Sequence, residues 1–183
     1  MSETTETQVI RDLIDRLARL NAAEDWNGPL NPSQFAALSY LARANRFSRA
    51  PSHVADYLIT TRGTASQTLK ALARKDLIIE TRSETDKRSI RYDVTRNGTD
   101  VLQDTSGLTD VINDLDADVS EALASSLKAL VLAMLQRRDG RPFGICRTCK
   151  HYRNTDADGF CQLLQVSLTK SESAQICHEH AEL

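Results

Sequence analysis

Apolar residues recur every three or four positions from about Thr7 to Leu20, at Val9, Leu13, Leu17 and Leu20, with charges between them. That period predicts an amphipathic helix. A second stripe, from roughly Asp110 to Arg137, runs through Val111, Leu115, Val119, Leu123, Leu127, Leu130 and Met134 and predicts one long helix. Three shorter helical patterns lie between them. "LNPSQFAALSYLARAN" offers Asn31 or Ser33 as a cap and Pro32 in the first turn, with Phe35, Leu38 and Leu41 on one face. "APSHVADYLITT" starts a second after Pro51. "RGTASQTLKALARKD" is the third, with Ala65, Leu69 and Leu72 inward and Arg62, Ser66, Gln67 and Lys70 on the polar face. The period then changes to two: "LIIETR" and "SIRYDVT" read as strands around the polar tip "SETDK", and "TRNG" reopens a helix.

The order helix, helix, helix, hairpin, helix predicts a mainly α fold with a small β-hairpin wing, a winged helix-turn-helix bracketed by long dimerisation helices. In such a fold the third helix enters the major groove and the hairpin reaches neighbouring phosphates or the minor groove. The two long stripes extend beyond what one small domain can cover, which favours a homodimer over ordinary core. "RRDGRPFG" is a linker, dividing residues 1–137, the DNA-binding and dimerisation domain, from residues 138–183, a small cysteine-rich module.

Charge sharpens this picture. The net charge of the 183 residues is only −2, yet from Thr61 to Arg96 nine Lys or Arg face five Asp or Glu. The next stretch, up to Lys128, has no Lys or Arg and seven Asp or Glu. A basic middle between acidic ends points one face at a polyanion. Arg62, Thr64, Ser66, Gln67, Thr68 and Lys70 supply donors and acceptors for base edges, and Arg82, Lys87, Arg88 and Arg91 supply charge for phosphates. The expected partner is double-stranded DNA with a pseudo-palindromic operator. At 40% hydrophobic and 26% charged, the composition is that of an ordinary soluble chain, with no apolar run near the ~20 residues of a membrane span. The start, "MSETTETQVIRD", is polar where a secretory signal is basic and then apolar, so a cytoplasmic location and no membrane partner are expected. No phosphate loop, nucleophile elbow or His-Glu metalloprotease pattern occurs, His53 and His151 stand alone, and no enzyme is expected.

Two stretches carry a family resemblance. "ASQTLKALARKDLI" resembles the recognition helix and first wing strand of the MarR-type regulators, and "DKRSIRYDVTRNG" resembles their wing signature, with Asp86, Arg88, Thr95 and Gly98 in the matching places. The likeness is strong over about Asn31 to Leu102. It implies that Arg88 enters the minor groove, that Asp86 orients wing arginines, and that the terminal helices build a two-fold dimer. One departure is Asp76, where the family has a glycine in left-handed conformation; Asp tolerates that conformation better than most residues.

All four cysteines lie in the last 38 residues, spaced C-x2-C-x11-C-x15-C. In a reducing compartment such a group points to metal rather than disulfides. Cys146, Cys149, Cys161 and Cys177 are the candidate ligands. Structural zinc sites usually present two C-x2-C knuckles. Here Cys161 and Cys177 arrive singly, which suits an iron-sulfur cluster, with [4Fe-4S] ahead of zinc. The module also resembles, loosely, the small four-cysteine units that hold [4Fe-4S] clusters in some enzyme accessory subunits. His178 and His180 read as bystanders, and Phe160, Leu163, Leu164 and Val166 as the flank of the centre. The sequence thus reads as a dimeric transcription regulator, a repressor, whose C-terminal metal centre senses iron, oxygen or redox state. Two alternatives stand beside it: a zinc-stapled winged helix that binds protein, and an iron-sulfur accessory subunit for electron transfer.

Overall fold

A computed structural model describes residues 5–25, 30–82, 90–103, 107–155 and 159–182. Helix α1 spans Glu6–Asp25, α2 Pro32–Arg43, α3 Pro51–Tyr57 and α4 Arg62–Arg74; strands β1 Ile78–Arg82 and β2 Ile90–Val94 follow, then α5 Arg96–Gln103, α6 Gly107–Asn113 and α7 Ala117–Gln136. Local chemistry sets these limits. Asn31 Oδ1 accepts from Gln34 N at 2.9 Å and Pro32 opens α2, while Thr61 Oγ1 accepts from Thr64 N at 3.1 Å to start α4. Asp76 ends α4 with φ 56°, the left-handed conformation expected there.

The core forms where the inner faces of α2, α3 and α4 meet the wing. Leu38, Tyr40, Leu41, Val54, Leu69 and Leu72 are fully enclosed, and Ile78 and Tyr92 add the inner face of the hairpin. Tyr40 is the central plug: its hydroxyl donates to Ser48 O at 2.7 Å, and burial pushes its pKa well up. Strands β1 and β2 pair antiparallel from Ile78↔Val94 to Arg82↔Ile90.

The expectation of one helix over the second apolar stripe is corrected: it breaks into α6 and α7. Asp116 is extended (ψ 143°) and starts α7 with Asp118 in its first turn. In "NDLDAD" the short acidic side chains are favoured at a helix start, where they face the positive end of the dipole, over a helix interior. Residues Val9, Leu13, Leu17 and Leu20 of α1 and Val119, Leu123, Leu127, Leu130 and Met134 of α7 lie exposed, and no residue of α7 is buried.

The C-terminal residues make a small module of β3 Gly144–Ile145, β4 Tyr152–Asn154, β5 Gly159–Cys161, β6 Val166–Leu168, α8 Lys170–Ser173 and β7 Ile176–Cys177. β3 pairs with β7, and β4, β5 and β6 form a three-stranded sheet in that order. The module docks on the head. Ile176 joins the head's core, Phe143 packs edge-on against Tyr40 and Tyr57, and Asn45 N donates to Ile176 O at 2.9 Å. No helix is long and apolar enough to cross a membrane, among the described residues.

Candidate functional site

Helix α4 presents its outer face beside the wing. The burial of Ala65, Leu69 and Leu72 fixes its rotation, and Arg62, Thr64, Gln67 and Lys70 are exposed while Ser66 and Thr68 are half-buried. Arg62, Ser66 and Lys70 follow the i, i+4, i+8 row of one face, with Gln67 beside it. Thr64 has less freedom than the sequence suggests. Its hydroxyl lies 2.8 Å from Thr61 Oγ1, at the cap.

In the wing, Arg82 and Arg91 are exposed but paired. Arg82 bonds Glu80 at 3.0 Å, and Arg91 lies 3.4 Å from Asp93. Each acid stands two positions along its strand, on the same face as the arginine. Glu80 also accepts from the Tyr92 hydroxyl at 2.9 Å, a bond that holds its carboxyl below the usual range and helps raise Tyr92 to about 12, where burial is the larger cause. Asp93 is shared with Arg49 at 2.7 Å, tying the wing to the corner between α2 and α3. Lys87, Arg88 and Asp86 lie outside the described residues.

The end of α4 and the start of α5 are locked together. Thr95 Oγ1 donates to Asp76 O at 2.7 Å and accepts from Gly98 N at 3.1 Å, Thr95 N donates to Leu77 O at 3.0 Å, and Asn97 Nδ2 donates to Asp76 Oδ2 at 3.0 Å. Gly98 sits against the Leu77 carbonyl, where a Cβ would stand 2.2 Å from the oxygen. Thr95 and Gly98 thus fix the angle between α4 and the wing.

The four cysteines line one cavity, with His151, Tyr152, Leu163 and Leu168 among its other walls. Cys146, Cys149 and Cys177 are buried, Cys161 is half-buried, and none is in a disulfide. Three separate segments deliver them. Cys146 and Cys149 sit on a 3-10 turn, with Cys149 N donating to Cys146 O at 3.0 Å; Cys161 ends β5 and Cys177 ends β7. Amide hydrogens reach three of the sulfurs: Cys146 Sγ from Asn45 Nδ2 at 3.2 Å, Cys149 Sγ from Ala181 N at 3.4 Å, and Cys177 from Asn45 and the Glu179 backbone. Cys146 and Cys177 are close enough to share a proton, which lowers the pKa of Cys177 and, together with burial, raises that of Cys146. Such donors suit sulfurs that carry negative charge. Among the described residues, no three or more His, Cys, Asp or Glu side chains are grouped to hold a single metal ion.

His180 pairs with Thr148. Thr148 Oγ1 donates to Ile145 O at 2.9 Å, so it accepts from His180 Nε2, 3.0 Å away, and the ring lies flat on Gly144. Burial lowers its pKa. His178 stacks on His53, with ring centroids 3.8 Å apart. This corrects the expectation that His53 stands alone; burial first, and then His178, bring His53 down to about 4. His151, also read as solitary, is on the cavity wall. Of the expected flank, Leu163 lines the cavity and Val166 packs on Cys146, Leu168 and Cys177, while Leu164 is exposed. Sequence reading missed Asn45, because nothing local in "RANRFS" marks an amide for a sulfur 101 residues away.

Residues 29–89 match the model of the MarR family, a span that contains α2 to β1 and stops before the cysteines. No curated protein matches the chain. Among solved structures, a MarR transcriptional regulator from Methanosarcina mazei Go1 is similar at 21% identity, covering 70% of this chain and 98% of that one with a TM-score of 0.59. MepR of Staphylococcus aureus in its DNA complex is similar at 19% identity, covering 72% and 99% with a TM-score of 0.57. MepR, a regulator of the multidrug efflux pump MepA in the same organism, gives 18% identity, 71% and 98% coverage and a TM-score of 0.55. The head therefore carries the MarR-type winged helix fold.

Proposed function

Taking that fold as the premise, we propose that the chain is a dimeric regulator of transcription that binds duplex DNA, acts as a repressor, and carries a thiolate-held metal centre that responds to iron, oxygen or redox state. The MarR family consists of DNA-binding transcription regulators and not enzymes, and MepR is known in complex with DNA. The observation that carries the reading is the outer face of α4, where Arg62, Gln67 and Lys70 stand exposed beside the wing, on a helix whose other face is fully used in the core. Gln67 and Ser66 read base edges, and Arg62, Lys70, Arg82 and Arg91, with Lys87 and Arg88, meet phosphates or the minor groove.

The second copy follows from the termini. A 20-residue helix with no buried residue and an apolar stripe from Val119 to Met134 is not stable in water by propensity alone. A matching stripe on α1 lies at the other end of the chain, and a two-fold pair of chains covers both. Two recognition helices then dock one helical turn apart, ~34 Å, on a pseudo-palindrome.

The centre is supported by four free thiols around one cavity and by the amide hydrogens on three of them. One paired and two single cysteines favour [4Fe-4S], and zinc is the alternative. Anaerobic purification tests this. A brown protein with a band near ~400 nm and equal iron and sulfide supports the cluster, colourless protein with one zinc per chain supports zinc, and neither metal removes the centre. Gel shifts with an operator from the chain's own promoter region, alongside sedimentation, test the rest. A monomer indifferent to DNA at low salt refutes the regulator.

A further inference from the structure

Asn45 sits at the corner between α2 and α3, wholly buried, and every polar atom of its side chain is used. Its Oδ1 accepts from Phe47 N at 3.1 Å and Ser48 Oγ at 2.8 Å, and its Nδ2 donates to Cys146 Sγ at 3.2 Å. The orientation of the amide is fixed, since Phe47 N–H can only donate. We propose that Asn45 is the positioning residue through which occupancy of the four-cysteine cavity reaches the DNA-reading head; this rests on the metal reading above.

The coupling is chemical. A metal-holding cysteine is a thiolate, so binding turns Cys146 from a weak acceptor into a charged one and strengthens the Asn45 bond. The same amide caps the corner, and Ser48 is held from three sides: by Asn45, by His178 N donating to its Oγ at 2.8 Å, and by the Tyr40 hydroxyl on its carbonyl. The corner leads directly into α3, which packs on α4. The cysteine segments hold little apolar mass of their own, so metal orders the module and the ordered module braces the corner. Metal-loaded protein is therefore the form that binds DNA tightly.

Asn45→Asp tests the link, because Asp keeps the acceptor for Phe47 and Ser48, lacks the N–H for Cys146 and for Cys177, and adds a negative charge beside the sulfurs. Full-length wild type and variant are stripped with chelator and titrated under argon with zinc(II), and separately with ferrous iron and sulfide. DNA affinity is read by fluorescence anisotropy at fixed salt. In the wild type, metal tightens DNA binding at least about fivefold. In the variant, metal affinity falls about 10- to 100-fold, as for loss of a partner to a metal ligand, and the DNA response at saturating metal falls below about twofold. A wild type that takes up neither metal overturns the centre and the link together. Metal binding of wild-type strength in a folded Asn45→Asp, or an undiminished DNA response, overturns the link and leaves the centre standing. Hydrogen exchange on the wild type decides the matter without any variant: stripping metal must speed exchange across residues 44–50, and unchanged exchange there refutes the proposal.

Discussion

Replacing Gly98 with alanine sets two effects against each other with opposite signs. Gly98 lies in the first turn of α5, where alanine is the better helix former by about 1 kcal/mol. The added Cβ, however, would stand 2.2 Å from Leu77 O and 2.8 Å from Val94 Cγ1. Relief requires the Leu77 carbonyl to withdraw, and that carbonyl accepts from Thr95 N at 3.0 Å. Overpacking of this kind costs about 1–3 kcal/mol, and the weakened hydrogen bond adds about 0.5–1.5 kcal/mol. Subtracting the helix gain leaves a net destabilisation of about 0.5–3.5 kcal/mol. For a chain of this size that lowers Tm by about 1–14 °C. Thermal and urea unfolding of wild type and Gly98→Ala measure it, with metal content matched. A Tm equal to or above wild type would refute the reasoning, because propensity would then outweigh contact and the α4–wing lock would not be rigid. Thr95→Ala, which removes both the bond to Asp76 O and the cap on Gly98 N, provides a second measure of the same lock.

Three further outcomes are expected. Gln67→Ala weakens operator binding by about 1–3 kcal/mol while leaving random DNA nearly unchanged, whereas Lys70→Ala weakens both and lowers the salt slope by about one; competition anisotropy over a salt series separates them, and equal losses on both DNAs for Gln67→Ala would deny it a base contact. Leu123→Glu combined with Leu127→Glu, both exposed in the single chain, yields a folded monomer in sedimentation, and a persistent dimer would place the interface elsewhere. His53 has its folded pKa near 4 and an unfolded value near 6.5, so between those values the unfolded chain binds the extra proton and stability falls as pH drops through that window. His53→Gln should flatten the urea midpoint between pH 6.5 and 4; an unchanged slope would assign the acid sensitivity to other groups.

Much of this molecule was written in local pattern. The i, i+4, i+7 spacing of Ala65, Leu69 and Leu72 dictates which face of α4 is buried, and so which side chains are left exposed. Asn31 with Pro32 and Thr61 mark two helix starts, and Asp76 takes the left-handed corner that its small polar side chain permits. These features are legible because each depends on residues within a turn or two of one another.

What only tertiary structure decided lies across long separations in the chain. Asp93 sits in β2, and only folding brought Arg49, from the corner between α2 and α3, to within 2.7 Å of it. His53 and His151 read as solitary until folding put one on His178 and the other on the cavity wall. The cysteine module read as an appendage beyond a linker, yet Ile176 enters the head's core and Asn45 reaches Cys146. Periodicity records how a segment divides its faces between inside and outside. It carries no record of which distant segment fills the inside, because that choice rests on shape and unpaired polar atoms that meet only when the chain closes on itself.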